Sequence, residues 1–227
     1  MYKLWMFDFD NTIARLEPEV DWAGGRKVLE PYLRSVGAPD ELFERIPRGN
    51  LPLYDAYRKL VFAGAHGSPR STELEHASEI IEAIELAGVE RAKPLEGALE
   101  TIAALKTNGA SVAIVTSNSS RTIRRWFEVN RVDLKIDAIV GRDSLLALKP
   151  APEMVLRALE ILSAKPSDAA FVGDSEADLV AARSSGVRFY GIAASEAARE
   201  RLLAAGATEI YASPTELAIH LNLLAAR

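Results

Sequence analysis

The chain has 227 residues, no cysteine, and 27 Lys and Arg residues against 32 Asp and Glu residues, which gives a formal net charge of −5 at pH 7. This acidic balance argues against a nucleic-acid partner, which calls for a basic excess, and the lack of cysteine excludes disulfides, thiolate nucleophiles and cysteine-based metal sites. Because the N-terminal segment MYKLWMFDFD lacks the pattern of a secretory signal and no stretch approaches the ~18 apolar residues of a membrane span, we expect a cytoplasmic protein without a membrane partner.

The first predicted element is a buried strand over residues 2–7, an apolar run that leads into the sequence DFDNT at residues 8–12. In doubly wound sheets, ligands collect at the carboxyl ends of the strands, so these polar residues are candidates for a site. Asp8 and Asp10 can reach one small volume if the chain turns sharply, and two carboxylates there repel each other unless a proton or a cation lies between them. A hard divalent cation meets that need. The alternative is that the polar residues only form a turn or cap a helix.

Residues 14–93 show helical periods and no convincing strand, which predicts an all-helical insert of roughly four helices, assigned to residues 15–93. Turn-rich breaks at residues 47–52 and 64–69 divide the insert, and Gly88 and Pro94 close it. The apolar residues at helical spacing are Val28, Leu29, Tyr32, Leu33 and Val36, then Leu53, Tyr57, Leu60 and Val61, then Leu74, Ala77, Ile80, Ile81 and Ile84. The insert therefore separates the first strand from all the others.

From residue 95 onward, helices and strands alternate. The predicted strands cover residues 111–115, 138–140, 169–172 and 187–192, and the predicted helices cover residues 96–107, 120–129, 152–162, 176–184 and 214–225. Such alternation implies right-handed crossovers and a parallel sheet between two layers of helices. We therefore predict an α/β fold whose core comprises residues 1–14 and 94–227, with the last helix covering one face of the sheet.

Polar side chains follow three of the predicted strands, at the point where each strand ends. They are Asp8 and Asp10, then Thr116, Ser117 and Asn118, then Asp174 with Asp178 close behind. Because all strands of a parallel sheet end at the same edge, these groups should gather in one crevice. Lys149 lies where a proline-rich loop enters a helix, and it would bring a cation to a site rich in carboxylates.

This set of motifs, in this order, resembles the haloacid dehalogenase superfamily of phosphohydrolases. Residues 8–12 are similar to the first motif of the family, Thr116 to the second, Lys149 to the third, and residues 173–178 to the fourth. The resemblance implies a three-layer, Rossmann-like core, and the helical insert matches the first type of cap domain in the family. The segment at residues 191–217 is further similar to the phosphoglycolate phosphatase branch. Asn11 departs from the glycine that many members carry at this position.

The resemblance also implies a role for each matched residue. Asp8 would attack phosphorus and carry an aspartyl phosphate, while Asp10 would act as acid and then as base. Mg²⁺ would be held by Asp8, by the backbone oxygen of Asp10 and by Asp174. The remaining matched residues would support this chemistry: Thr116 with the amides of Ser117 and Asn118 as phosphate ligands at a helix N-terminus, Lys149 as an added positive charge, and Thr12 and Asp178 as supporting residues.

Several functions stay open beside a phosphatase acting on a small phosphomonoester. A dehalogenase has no use for magnesium or for Asp10, a phosphomutase needs a cap that recaptures the intermediate, and a non-catalytic binding protein has no need to retain the whole set of motif residues. We therefore favour a magnesium-dependent phosphatase. Phosphoglycolate, a sugar phosphate and a nucleotide are all compatible with the motifs, because the insert would select the leaving group. The oligomeric state, monomer or dimer, also stays open.

Two weaker signals lie next to these motifs. Arg121, Arg124, Arg125 and Arg131 follow the second motif, and we interpret them as a solvated helix face, with Arg121 as the best candidate for an exception. Trp22 and the glycines that follow it at residues 24 and 25 are compatible with a hinge or with a plain loop at the start of the insert.

Overall fold

The structure is a computed structural model that describes residues 2–64 and 71–225. Its strands are β1 (Leu4–Phe7), β2 (Ala14–Arg15), β3 (Lys93–Pro94), β4 (Ser111–Val115), β5 (Ala138–Val140), β6 (Ala169–Gly173), β7 (Arg188–Ile192) and β8 (Ile210–Tyr211). Its α-helices are α1 (Trp22–Ser35), α2 (Asp40–Arg45), α3 (Asn50–Phe62), α4 (Ser71–Gly88), α5 (Ala98–Thr107), α6 (Ser120–Val129), α7 (Glu153–Ile161), α8 (Glu176–Ser184), α9 (Glu196–Ala204) and α10 (Pro214–His220). Within these ranges, no helix has both the length and the apolar character of a membrane span.

Six strands form one parallel sheet in the order β5-β4-β1-β6-β7-β8. β1 lies inside the sheet, where Leu4 pairs with Ser111 of β4 on one side and with Ala169 of β6 on the other. The whole of β1 is buried, which explains its unbroken apolar run, since helices cover both faces of a parallel sheet. The carboxyl ends of β4, β1 and β6 therefore lie side by side at one edge.

The side chains of β1 alternate between two apolar clusters, one on each face of the sheet. Leu4 and Met6 belong to the cluster that includes α7, α8 and α9, whereas Trp5 and Phe7 belong to the cluster that includes α5, α6 and α10. This arrangement confirms the predicted three-layer α/β fold. The first cluster also extends into the helices α1 to α4.

Helices α1 to α4 form the insert, which confirms its all-helical character within the described residues. Leu29 and Leu33 of α1 are fully buried, as their spacing predicts. Val28 does not belong to this face, because it is 56% exposed on the outer side of the helix. The second predicted break, at residues 64–69, lies outside the described residues from residue 65 onward, and the domain boundaries at residues 15 and 93 stay a prediction.

The structure also corrects several boundaries. β2 and β3 form an unpredicted antiparallel pair where the chain enters and leaves the insert, because two residues are too few to show a period. β8 is equally short, and α9 has Leu202 as its one buried residue, so both escape a pattern-based search. The last helix ends at His220 instead of residue 225, since Asn222 adopts a left-handed conformation (φ 57°). Trp22 begins α1 and the glycines at residues 24 and 25 lie within it, so this stretch is not a loop, and its role as a hinge stays a prediction.

Candidate active site

The predicted site residues gather around one cavity of about 380 Å³ at the carboxyl ends of β1, β4 and β6. Its lining includes Asp8, Asp10, Thr116, Ser117, Asn118, Lys149, Asp174 and Asp178. Thr12 is the exception among the predicted residues. It is buried outside the lining, and its Oγ1 has no hydrogen-bond partner among the described residues. The sheet edge thus brings together side chains that are up to 170 residues apart, from Asp8 to Asp178.

The loop after β1 turns back sharply and fixes Asp10. The Oδ1 atom of Asp10 accepts hydrogen bonds from the N–H groups of Leu16 (2.9 Å) and Glu17 (3.1 Å). Burial raises the pKa of Asp10 to about 6, although these two hydrogen bonds act in the opposite direction. Asn11 has a positive φ of 55°, a conformation that glycine and asparagine adopt more readily than other residues. Its departure from the family's glycine therefore leaves the turn intact.

Three carboxylates form the centre of the cavity. One oxygen each of Asp8, Asp174 and Asp178 lies within 4.8 Å of the others. Burial raises the pKa of Asp8 to about 7, in spite of the nearby Lys149 ammonium, and burial together with the charges of Asp8 and Asp178 raises the pKa of Asp174 to about 8. Carboxylates crowded in this way gain from a bound cation, and oxygen donors of this type suit Mg²⁺. The residues present therefore fit a divalent metal site.

Lys149 lies between two of these carboxylates. Its Nζ atom is 2.7 Å from Asp8 Oδ1 and 2.5 Å from Asp178 Oδ1, and its side chain is 4% exposed. Burial by itself would lower the pKa of Lys149, but the carboxylates of Asp178 and Asp8 raise it above its ordinary value. The ammonium group therefore keeps its charge inside the cavity.

Asp178 lies at the start of α8 and is held on both sides. Its Oδ1 accepts from Lys149, while its Oδ2 accepts from Ser175 N (3.1 Å) and Ser175 Oγ (2.6 Å) in a capping box. A Cβ atom at Gly173 would come within 2.6 Å of Asp178 Oδ2, so only glycine fits at the end of β6. Asp178 thus orients Lys149 beside Asp8.

The loop after β4 uses most of its backbone N–H groups within the protein. Across residues 116–120, the acceptors are Val140 O for Thr116 N, Thr116 Oγ1 for Asn118 N, Glu85 Oε2 for Ser119 N and Asp143 Oδ1 for Ser120 N. Among the described residues, Ser117 N is the one donor in this stretch that has no protein acceptor. The backbone N–H group of Asn118 therefore supports the loop, and Ser117 N remains free for a ligand.

The insert supplies the opposite wall of the cavity, at the start of α3 and α1. This wall consists of Trp22, Gly49, Asn50, Leu51 and Pro52, with Glu17 beside them. Asn50 Nδ2 donates to Trp22 O (2.9 Å), and Arg26 donates to Gly49 O (3.1 Å) from behind the wall. The turn-rich break at residues 47–52 marks this segment in the sequence, but nothing local shows that it faces the site.

A buried pair, Glu85 and Arg142, lies behind the loop after β4 and is not visible in the motifs. The one local signal is that Glu85 stands four residues after Ile81, at an inward position of α4.

The arginines after the second motif form a solvated face, as predicted. Arg121 is 75% exposed and pairs with Glu82, and Arg125 pairs with Glu90 at the surface.

Comparisons with known proteins agree with this geometry. Residues 5–192 match the model of the haloacid dehalogenase-like hydrolase family. Phosphoglycolate phosphatase 1 of Pseudomonas aeruginosa is 28% identical over 188 residues, which are 82% of this chain and 67% of that protein. Pyrophosphatase PpaX of Bacillus cereus strain Q1 is 31% identical over 190 residues, 81% of this chain and 79% of that protein. Matches to other PpaX proteins span 93 to 118 residues and cover 43 to 50% of those relatives.

The fold is shared with solved structures as well. CbbY from Rhodobacter sphaeroides, solved in complex with phosphate, superposes with a TM-score of 0.65 at 21% identity, covering 96% of each chain. At this identity the likeness concerns the fold alone. The family match, which spans most of the chain and includes the carboxylates at the ends of β1 and β6, shows that this protein is an enzyme of the haloacid dehalogenase-like hydrolase family.

Proposed function

We propose that this protein is a magnesium-dependent phosphatase that hydrolyses a small phosphomonoester through an aspartyl phosphate on Asp8. The observation that carries the proposal is the position of Asp8, which lines the cavity beside the Lys149 ammonium and the carboxylates of Asp174 and Asp178. A carboxylate held in this way can act as a nucleophile towards phosphorus. Membership of a hydrolase family supports the same reaction class.

Asp10 is the proposed acid and base. Its pKa, raised to about 6 by burial, lies close enough to neutrality for the carboxyl group to give and take a proton. Its Oδ1 is held by the N–H groups of Leu16 and Glu17, so its Oδ2 remains for the leaving oxygen and then for the attacking water. The two aspartates of the first motif thus divide the chemistry between them.

The phosphoryl oxygens would be bound by Ser117 N and Lys149 Nζ, and by the hydroxyl group of Thr116 after its hydrogen turns away from Asn118 Oδ1, to which it donates in this structure. These donors line the same cavity as Asp8, and they would stabilise the charge that develops during the transfer. Mg²⁺ would be held by Asp8, Asp174 and the backbone oxygen of Asp10, and when bound it supplies charge neutralisation to the phosphoryl group. Asp178 would act next to this site by fixing Lys149.

The wall supplied by the insert bears on the leaving group. Of the described residues around the cavity, Lys149 is the only one with a cationic side chain, and it is already paired with Asp8 and Asp178. The opposite wall contains the Glu17 carboxylate, apolar side chains and Asn50, whose amide is buried and donates to Trp22 O. A second anionic group on the substrate would find no free cation there, so this wall favours a hydroxyl-bearing leaving group, such as that of a sugar phosphate.

A panel of metabolite phosphates, ranked by kcat/KM in the presence of Mg²⁺, tests both parts of the proposal. The most informative pair is 2-hydroxyethyl phosphate and phosphoglycolate, because they differ only in a hydroxymethyl group against a carboxylate. We expect the hydroxyl compound to react faster. Faster hydrolysis of phosphoglycolate would refute the assignment of the leaving group, and no hydrolysis of any ester, including an aryl phosphate, would refute the phosphatase itself. Chloride release from a haloacid would instead identify a dehalogenase.

A further inference from the structure

A buried ion pair joins the insert to the core beside the candidate active site. Glu85 belongs to α4 and Arg142 follows β5, and both side chains are 0% exposed. Arg142 Nη1 lies 2.6 Å from Glu85 Oε1. Two charges this deeply buried need further hydrogen bonds to offset their lost hydration, so the groups that satisfy them indicate what the pair holds in place.

Glu85 holds the loop after β4 from the side of the insert. Its Oε1 accepts from Asn118 Nδ2 (3.1 Å), and its Oε2 accepts from Ser119 N (3.1 Å) and Thr122 Oγ1 (2.9 Å). A carboxylate only accepts hydrogen bonds, so the NH₂ side of the Asn118 amide must face Glu85. The amide oxygen then faces Thr116, whose Oγ1 donates to it at 3.0 Å.

Arg142 holds the same loop from the side of the core. Its Nη1 also donates to Ser117 O (2.9 Å), and its backbone N donates to Asn118 O (2.9 Å). The guanidinium group further donates to the backbone O and to Oγ of Ser78 in α4, each at 3.2 Å. The pair therefore fixes the peptide groups on both sides of Asn118 and attaches them to α4.

We propose that Glu85 and Arg142 are a positioning pair through which the insert sets the phosphate affinity of the catalytic cavity. The pair holds the two peptide groups on either side of Asn118, and through the first of them the direction of the neighbouring free Ser117 N–H; the Asn118 side chain that Glu85 holds also accepts from the Thr116 hydroxyl group. Ser117 N–H and the Thr116 hydroxyl group are assigned above to the phosphoryl oxygens, so this inference rests on the proposed function. Neither Glu85 nor Arg142 lines the cavity, and both act through the loop.

The test is the Kd of inorganic phosphate, measured by titration calorimetry with Mg²⁺ present, for the parent protein and for Glu85→Gln. Glutamine presents an NH₂ group where the loop requires an acceptor, so the loop donors should lose their alignment, and we expect about tenfold weaker binding, the effect of one lost charge-assisted hydrogen bond. The Glu85 carboxylate repels an anion, so removal of its charge alone would make phosphate bind more tightly. The sign of the change therefore distinguishes positioning from a simple charge effect.

Two further variants complete the test. Glu85→Gln leaves the buried charge of Arg142 without its ionic partner, so the double variant Glu85→Gln/Arg142→Met is measured as well. The double variant has no unpaired buried charge, so it should be more stable than Glu85→Gln and should still bind phosphate weakly. The matched control is Glu90→Gln, which removes the exposed ion pair with Arg125 of α6 and touches no atom of the loop. We expect its phosphate Kd to stay within about twofold of the parent value, as for a surface ion pair.

The outcomes separate the two proposals. A parent protein that binds phosphate, together with variants of Glu85 that bind it equally or more tightly, would refute the positioning pair and leave the phosphatase intact. Failure of the folded parent protein to bind phosphate would refute both. The inference would be supported by three results together. Both Glu85 variants should bind phosphate more weakly, Glu90→Gln should keep the parent Kd, and the Glu85 variants should show a rise in KM on an aryl phosphate that exceeds the fall in kcat.

Discussion

At the end of β1, two aspartates of the same motif lie in different surroundings. Asp8 contacts the Lys149 ammonium and shares its space with Asp174 and Asp178, whereas Asp10 is held by backbone N–H groups. Burial raises the pKa of Asp8 to about 7, so its carboxylate needs Lys149 and a bound cation to stay charged as a nucleophile, whereas the pKa of Asp10, raised to about 6, suits a group that gives and takes a proton. These surroundings fit the separate roles proposed for the two residues, and substitutions at each one test them.

Asp8→Asn should abolish turnover, because an amide cannot form the aspartyl phosphate. The fold should remain intact, since the change removes one of three crowded carboxylates and leaves Lys149 paired with Asp178. Steady-state rates and near-UV circular dichroism check both points. Labelled phosphate that survives an acid quench in this variant would show that another residue is the nucleophile.

Asp10→Asn should lower turnover by a factor of ~10²–10⁴, the usual contribution of general acid–base catalysis. Aryl phosphates, whose leaving oxygens need little protonation, should lose less activity than alkyl phosphates. Phosphate bound to Asp8 should accumulate, because the attacking water has lost its base. Rates on both ester types and acid-quenched labelling measure this. Equal losses on the two esters would contradict the role of Asp10.

At the scale of the elements, the start of α3, together with Trp22 of α1, is the part of the insert that reaches the cavity. Its position depends on Asn50, which donates to Trp22 O of α1, and on Arg26, which donates to Gly49 O and to Ile46 O. The insert therefore presents a braced wall to the leaving group. Its role in substrate choice stays a prediction. A point substitution tests this role without removing helices that share an apolar cluster with the core.

Asn50→Ala should change the ranking of substrates while leaving phosphate binding nearly unchanged. The reason is that Asn50 lines the wall opposite the phosphoryl donors and loses about 1 kcal/mol of hydrogen bonding to Trp22 when it is truncated. The measurement is kcat/KM across the substrate panel, with the phosphate Kd alongside. Asn108→Ala is the control, because that amide donates to Ala104 O at the end of α5, away from the cavity. An unaltered ranking of substrates would show that this wall has no part in substrate recognition.

At the scale of the whole molecule, the two apolar clusters stabilise the folded sheet, whereas the crowded carboxylates at its edge lower the stability of the fold. Asp8, Asp174 and Asp178 are held close together by strands and helices that also pack the core. Their repulsion is a cost that a bound cation offsets, so metal binding and folding are linked.

Mg²⁺ should therefore raise Tm in a concentration-dependent way, and Asp174→Asn should lose most of that response. Differential scanning calorimetry of metal-free protein measures the shift independently of activity. Turnover should require Mg²⁺ and should be inhibited by excess Ca²⁺, whose looser coordination misplaces the nucleophile. Full turnover of verified metal-free protein in a strong chelator, or a Tm that ignores Mg²⁺, would contradict the assigned metal site.

Local patterns in the sequence already specify most of the core. The apolar run of β1, the strand at Ser111–Val115 and the helices at Ser120–Val129 and Glu176–Ser184 have the predicted bounds to within a few residues, because burial period and capping residues act over short distances along the chain. The same logic places Asp8, Thr116 and Asp174 at one edge, since parallel strands end together. The sequence by itself thus determined the fold class and the centre of the candidate site.

Only the tertiary structure decided which distant groups meet. Glu85 and Arg142 are 57 positions apart, and no local period connects them. The facing of Gly49 and Asn50 towards the cavity depends on how α1 and α3 pack, and the amide of Asn118 turns towards Glu85 because a carboxylate from another element faces it. Such contacts depend on the packing of the whole molecule. A buried charge needs an ionic or hydrogen-bonding partner to offset its lost hydration, and that partner can come from any part of the chain.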